Sequence, residues 1–86
     1  MKTFKDLQFK PNSIGSGLQA TMNFDNYYGV SVVKVKGSYG FNSDLWEVAI
    51  LYKDALTYNT DITDDVLGHQ TDQDVTDVMK KVQALI

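Results

Sequence analysis

The chain contains no cysteine and no arginine, and only one proline and one histidine. The missing cysteine excludes disulfides and thiolate metal sites and fits a reducing compartment. The missing arginine removes the planar fork that makes bidentate contacts to phosphate and guanine, which disfavours sequence-specific recognition of nucleic acid. No apolar run approaches the roughly 18 residues of a membrane span, and none forms a signal peptide. We therefore expect a cytoplasmic protein that makes no membrane contact.

The length and composition indicate one small globular domain spanning residues 1–86. Hydrophobic residues make up 43% of the chain and charged residues 22%, which is ordinary for a folded protein. The chain is too short for a second hydrophobic core.

Alternating apolar and polar residues predict strands in four segments. In the first, Leu18, Ala20, Met22 and Phe24 point to one side, as in a half-buried strand. Turn-forming pairs separate the segments, at Asp25-Asn26 and at Lys53-Asp54. A change of face at Val32-Val33 predicts a bulge, and Gly29 a second irregularity. The predicted strands are LQATMNF (18–24), YYGVSVVKVK (27–36), LWEVAILYK (45–53) and ALTYN (55–59), and the turn-rich stretch KPNSIGSG (10–17) precedes them.

The C-terminal segment carries the pattern of an amphipathic helix. Thr71 stands where it can cap the helix, and Asp74 occupies the third-residue position of a capping box. Upstream, Thr63 is placed to cap a shorter helical turn, DDVLG, that stops at Gly68. The apolar residues that recur at helical spacing are Val75, Val78, Met79, Val82, Leu85 and Ile86.

These elements predict an α+β fold, in which an antiparallel sheet of about four strands carries the C-terminal helix on one face. The helix is needed because the apolar side of so small a sheet would otherwise face water.

Charge is distributed unevenly along the chain. Residues 61–77 contain six aspartates and no lysine, whereas residues 1–36 contain five lysines and two aspartates. Asp64, Asp65, Asp72 and Asp74 fall in the predicted first turns of helices, where carboxylates favour the positive end of the helix dipole. The segment DITDD resembles the start of a calcium loop, but Thr63 replaces a ligand and no glutamate ends the loop. We predict no metal and no cofactor, and a surface or capping role for His69.

No pattern of catalytic residues is present. No serine lies in a G-x-S-x-G setting, and the glycine-containing segments GSGLQ and GSYG lack the lysine and helix of a phosphate-binding loop. A pair of carboxylates in a cleft is hard to build from acids that begin helices. We predict that the protein is not an enzyme.

Four segments together resemble a family of short accessory proteins of bacteriophages and prophages. They are FKDLQFKP (4–11), YGVSVV (28–33), ITDDVLG (62–68) and DVTDVMKKVQAL (74–85). Tyr27 and His69 depart from the pattern, which has a glycine and then an aromatic residue there. The resemblance implies a non-virion protein in the host cytoplasm, brings no catalytic residue, and suggests by analogy an inhibitor of a host-defence complex, as anti-CRISPR proteins are.

The predicted function is binding to a host protein with a basic surface, which the protein would modulate or inhibit. Two alternatives stay open: homo-oligomerisation through a sheet edge or the helix, and weak binding of single-stranded nucleic acid through Lys34, Lys36, Tyr39 and Phe41. Nucleic acid is the less favoured partner because the chain is acidic and lacks arginine. The residues predicted to bind the protein partner are Asp61, Asp64, Asp65, Asp72, Asp77, Tyr39 and Phe41.

Deleting residues 71–86 should abolish cooperative unfolding, because the sheet would lose the element that covers its apolar face. The test is thermal denaturation followed by circular dichroism. A truncated chain that retains a cooperative melt would contradict the predicted dependence on the helix.

Overall fold

The computed structural model describes residues 1–12 and 16–86, so part of the predicted turn-rich stretch 10–17 lies outside the described residues. One 3-10 turn, Phe4–Asp6, precedes the sheet. Another, Phe41–Ser43, lies in the connection between the third and fourth strands. The regular elements are β1 (Lys10–Pro11), β2 (Gly17–Asn23), β3 (Tyr28–Val35), β4 (Trp46–Tyr52), β5 (Ala55–Leu56), β6 (Leu67–Gln70) and α1 (Asp72–Gln83).

All strands pair antiparallel in one sheet, in the order β1-β2-β3-β4, with β5 and β6 both paired to the outer edge of β4. The predicted α+β class is confirmed, with a sheet of six strands instead of about four. The additional strands are β1 and β6, which are too short to show a clear alternation in the sequence. Proline fits β1 because an edge strand can leave one backbone position without a donor. No helix of the described residues has the length and hydropathy to span a membrane.

The hydrophobic core lies between α1 and one face of the sheet, here called the core face. Met22 and Phe24 of the predicted alternation are half-buried against this core, whereas Leu18, at the edge of the sheet, remains 41% exposed. The buried residues of the core face are Ala20, Val30, Val32, Trp46, Val48 and Ile50, and those of α1 are Val75, Val78, Met79 and Val82. Each fully buried side chain of this size typically contributes about 1.5–3 kcal/mol.

The opposite side of the sheet, here called the open face, carries the alternate residues of the same strands. No helix or strand of the described residues packs on it. Leu51 is buried there, apart from the core cluster. From β1 to β4 the residues of the open face are Lys10, Gly17, Gln19, Thr21, Asn23, Gly29, Ser31, Val33, Val35, Glu47, Ala49 and Leu51.

The turn between β2 and β3 is confirmed at Asp25-Asn26, and it also fixes the end of the helix. Asn26 donates from Nδ2 to the backbone oxygens of Val82 and Leu85, both at 2.9 Å. Val82 belongs to the last helical turn and Leu85 follows the C-cap residue, and the Val82 carbonyl also accepts the N–H of Leu85 at 3.1 Å. The left-handed residue of the turn is Tyr27, with φ 70°, although the sequence pointed to its two predecessors as the residues that tolerate such a conformation.

The predicted irregularities in β3 are wrong. The β2–β3 register runs without interruption from Gly29, opposite Asn23, to Val35, opposite Gly17. The bulge lies in β6 instead, between the pairs Trp46–Gln70 and Val48–Leu67. The change of face at Val32-Val33 arises because Val33, on the open face, is apolar. From Val30 to Val33 burial still alternates, whereas polarity does not.

The short helix predicted at 64–68 is also wrong. Leu67–Gln70 forms β6, because its backbone pairs with β4. Asp64 and Asp65 are therefore residues of a loop and not of a first helical turn. Thr63 still receives a local backbone bond, since the N–H of Asp65 donates to its Oγ1 at 3.1 Å. The same side-chain chemistry serves helix caps and turns alike, and the long-range pairing of β6 decides between them.

The capping box of α1 is confirmed. The backbone N–H of Asp74 donates to Thr71 Oγ1 at 3.1 Å, and that of Thr71 donates to Asp74 Oδ2 at 3.0 Å. Lys80 and Lys81 lie in the last turn, where positive charge favours the helix dipole. Leu85 packs against the core, and Ile86 is exposed.

The N-terminal segment closes one end of the core through aromatic packing. Phe9 stacks on Trp46 with ring centroids 4.4 Å apart, and Phe4 contacts both rings at 5.5 Å. The ammonium of Lys34 lies 4.1 Å from the centroid of the Trp46 ring. The backbone N–H of Phe4 donates to Thr76 Oγ1 at 3.0 Å, so the segment is attached to the helix as well as to the sheet.

Replacing Asp74 with alanine should lower the free energy of unfolding at neutral pH. The hydrogen bonds from the Thr71 backbone and then its hydroxyl hold the pKa of Asp74 below its ordinary value. A carboxyl with a lowered pKa stabilises the fold above its unfolded pKa and loses this effect as the pH falls through the folded value. The difference between native protein and Asp74→Ala should therefore be constant near neutrality and shrink below about pH 4.

Urea denaturation across this pH range measures the effect. Asp77→Ala is the control, since it removes a carboxylate from the same helix without removing a cap. A difference that stayed the same at low pH would contradict the role given to the ionised Asp74 side chain.

Candidate functional site

The acidic stretch begins in a loop that leaves and rejoins the edge of the sheet. The N–H of Thr57, just after β5, donates to the carbonyl of Ile50 at 3.0 Å, and Leu67 pairs with Val48. The loop 58–66 therefore begins beside Ile50 and ends beside Val48, two residues or roughly 7 Å apart along β4. Its closely spaced ends are typical of Ω-loops, which are often functional.

The loop 58–66 is held by its own side chains. Ile62 packs against the core. The Thr60 hydroxyl bonds within the loop, to the backbone of Thr63, and the N–H of Val66 donates to Asp65 Oδ1 at 2.7 Å. Asp61 and Asp64 are exposed, and within the described residues their carboxylates accept no hydrogen bond. The loop therefore presents two free carboxylates on an anchored backbone.

Two further predicted aspartates lie on the helix, on different sides of it. Asp72 Oδ1 accepts a hydrogen bond from Trp46 Nε1 at 2.8 Å, which directs it toward the aromatic end of the core. Asp77 Oδ1 accepts from Gln73 Nε2 at 3.0 Å on the exposed side. Five residues of separation place Asp72 and Asp77 about 140° apart around the helix axis. The predicted aspartates are thus divided between the loop 58–66 and two sides of α1, and they do not form a single flat face.

None of the aspartates of the segment 61–77 forms an ion pair within the described residues, and the lysines that follow them on the same helix are Lys80 and Lys81. The ion pair of the described residues joins Lys34 and Asp44 at 3.1 Å, outside the segment 61–77. That segment carries six negative charges, while the rest of the chain carries a net charge of +3. The charge is therefore unevenly distributed along the chain, and Asp61, Asp64, Asp65, Asp72 and Asp77 are exposed.

Tyr39 and Phe41 lie apart from the aspartates, beside the open face. The N–H of Tyr39 donates to Glu47 Oε1 at 3.1 Å, and its carbonyl accepts from the N–H of His69 at 3.2 Å. Tyr39 is therefore held at both backbone groups while its side chain remains 63% exposed. Phe41, expected to be exposed, is half-buried at the start of a 3-10 turn.

His69 is an exposed residue of the β6 bulge, in agreement with its predicted surface position. Its φ of 55° is left-handed. Two residues, Gly68 and His69, stand opposite Glu47 alone, and the extra residue directs the His69 N–H out of the sheet toward Tyr39. This arrangement was not predicted, although an isolated glycine within a strand can indicate a bulge.

Lys34, one of the residues considered for nucleic-acid binding, is already engaged. Its ammonium contacts Asp44 and the Trp46 ring, and its side chain is 19% exposed. Lys36 is exposed. The structure thus leaves one of these two lysines directed at solvent, next to the tethered Tyr39.

No three His, Asp or Glu side chains within residues 1–12 and 16–86 are grouped closely enough to hold a metal ion. The hollows of the surface are shallow; one of about 410 Å³ lies between the N-terminus and the β2–β3 turn. A second, of about 430 Å³, lies beside β1 and β2.

Comparison with known proteins gives no match to a family model, to a curated protein sequence or to a solved structure. Function is therefore inferred from the residues of this chain and their geometry.

Replacing Gly68 with alanine should displace Tyr39 and destabilise the protein by about 1–3 kcal/mol, as overpacking typically does. A Cβ on Gly68 would collide with the Cβ of Tyr39. Chemical denaturation measures the loss.

A double-mutant cycle with Tyr39→Gly supplies the control, because that change removes the opposing atom. The penalty of Gly68→Ala should be smaller in the Tyr39→Gly background. Equal penalties in both backgrounds would show that the two residues are not coupled.

Proposed function

We propose that the protein is a small binding protein, without catalytic activity, that attaches to a basic surface on a protein partner. The observation that carries this proposal is the concentration of negative charge in residues 61–77, which hold six carboxylates and no lysine and form no ion pair within the described residues. Such a concentration of charge attracts surfaces lined by lysine and arginine and disfavours the binding of acidic partners. The residues proposed to make contact are Asp61, Asp64, Asp65, Asp72 and Asp77.

The backbone around these residues supports the proposal, since it is ordered before any partner binds. The loop 58–66 is anchored by Ile62 and by bonds of Thr60 and Thr63. Asp72 is oriented by the Trp46 indole, and this bond leaves one of its carboxylate oxygens for a partner. A surface that is ordered in advance loses less conformational entropy on association.

The resemblance to phage accessory proteins makes the proposed partner a host protein. A complex that handles nucleic acid offers the basic channel that such an acidic surface would fill, and occupying the channel would inhibit the complex. Binding of this kind weakens with salt, because exposed charges are screened over about 8 Å at physiological ionic strength.

Affinity capture from host-cell lysate, followed by low-salt and high-salt washes and mass spectrometry, tests the proposal. A specific partner should be rich in lysine and arginine and should be lost at high salt. The double variant Asp61→Lys with Asp64→Lys should lose it even at low salt, because it changes the local charge by four units.

Asp64→Lys and Asp25→Lys form a matched pair of single variants. Both aspartates are exposed, and neither accepts a hydrogen bond within the described residues, but Asp25 lies in the β2–β3 turn. Capture should be reduced by the change at Asp64 and retained with the change at Asp25. Equal capture by native protein and the double variant would refute the acidic surface as the contact.

A further inference from the structure

The strand register aligns two opposite charges across the open face of the sheet. Lys10 pairs with Gln19, Gln19 with Val33, and Val33 with Glu47. These four residues form one row across β1, β2, β3 and β4, with a lysine at one end and a glutamate at the other. Among the strand residues of β1–β4 on this face, Lys10 and Glu47 are the charged ones.

We propose that the open face binds a second copy of this chain in a symmetric dimer, with Lys10 of each copy against Glu47 of the other. A two-fold axis parallel to the strands, between β2 and β3, places β1 of one copy over β4 of the second. Because the axis runs along the strands, the rotation keeps each residue at the same height along its strand and reverses the order of the strands. Each row of one copy therefore faces the same row of the other copy, read in the opposite direction. The lysine of one copy therefore meets the glutamate of the other, twice in the dimer.

The spacing of stacked sheets suits these contacts. Facing sheets pack about 10 Å apart, a distance that an extended lysine and glutamate span together. Aligned sheets also cross at about 30°, so the central residues overlap best. Gln19 and Thr21 of one copy would meet Val33 and Ser31 of the second, which gives a mixed and partly polar interface.

Glu47 is prepared for such a contact by its neighbours. One carboxylate oxygen accepts the N–H of Tyr39, which orients the group and leaves the other oxygen available. The exposed Tyr39 side chain stands beside it, over Gly68. A lysine arriving from a second copy would meet a carboxylate and an aromatic ring together. Lys10 is exposed and forms no ion pair within the described residues.

The size of the face sets the strength of the dimer. Three strands of seven or eight residues and the two-residue β1, at about 4.8 Å spacing and about 3.3 Å per residue, offer on the order of 400 Å² per copy. Stable interfaces bury about 800 Å² per partner. The dimer is therefore weak and forms as the concentration rises from micromolar to millimolar. Its contacts do not involve the aspartates of the 61–77 segment, so dimerisation does not require the proposed partner.

Sedimentation equilibrium of the purified full chain over this concentration range, at low and high salt, tests the dimer. The native protein should associate reversibly, and less at high salt. Lys10→Glu and Glu47→Lys should each weaken the association by about tenfold or more, because two attractive pairs become two repulsive ones. The double variant, whose net charge is native, should restore it.

Matched controls separate this geometry from general charge effects. Lys5→Glu and Asp25→Lys change the net charge by the same amounts at exposed sites away from the open face and should leave association unchanged. Glu47→Gln, which keeps the acceptor for the Tyr39 N–H, should weaken association less than Glu47→Lys. Chemical-shift changes on dilution should centre on Gln19, Val33 and Ala49.

Four outcomes would overturn the proposal. The native chain could remain monomeric throughout the concentration range. The two single charge reversals could associate as strongly as the native chain. The double variant could fail to recover, or the dilution shifts could lie on α1, which would assign self-association to a different surface.

Discussion

The whole fold depends on packing one amphipathic helix against one face of a small sheet. Val75, Val78, Met79 and Val82 supply the apolar stripe of α1, and they meet a sheet whose core-face residues are otherwise uncovered. Two layers with one interface are the minimum that buries a continuous core. This interface is the main source of stabilisation. The position of α1 on the sheet is held by contacts along the whole length of the helix.

That control comes from side chains distant in sequence. The Trp46 indole bonds Asp72 in the first turn, the Phe4 backbone bonds Thr76 in the middle, and Asn26 bonds the carbonyls of Val82 and Leu85 at the end. These bonds hold the helix over the sheet at its start, its middle and its end. The N-terminal segment, the first hairpin and β4 are thereby joined through the helix, although they are distant along the chain.

The accuracy of the sequence predictions follows from the range of the interactions involved. The capping box, the two turns and the alternation of β2 are local, and all are confirmed. β6 and the loop 58–66 were missed because they depend on pairing with β4, some twenty residues earlier, and Thr63 and the aspartates after it satisfy the local rules for a helix start equally well. The bonding of Glu47 to Tyr39 has no local signal. The exposed aspartates could be read from composition, but their distribution around α1 and the loop could not.

A one-helix fold has a further consequence, because the helix covers only one face of the sheet. The properties of the open face then depend on its own residues. Val33, Val35 and Ala49 make that face moderately apolar, while Gln19, Thr21 and Ser31 keep it wettable. Such a mixture is compatible with a monomer in water and with weak self-association, and opposite charges at the two ends of one row favour a single orientation.

The acidic surface and the open face are positioned so that both can be used at once. The loop 58–66 lies at the outer edge of β4, and the proposed two-fold axis lies between β2 and β3. The symmetry would therefore carry the two acidic loops to opposite flanks of a dimer, about 25 Å apart by strand spacing. A partner with two basic sites at this separation would bind a dimer more tightly than a monomer, through effective concentration and without any new contact. Weak self-association and salt-sensitive attachment would then strengthen each other, since each event raises the local concentration for the other.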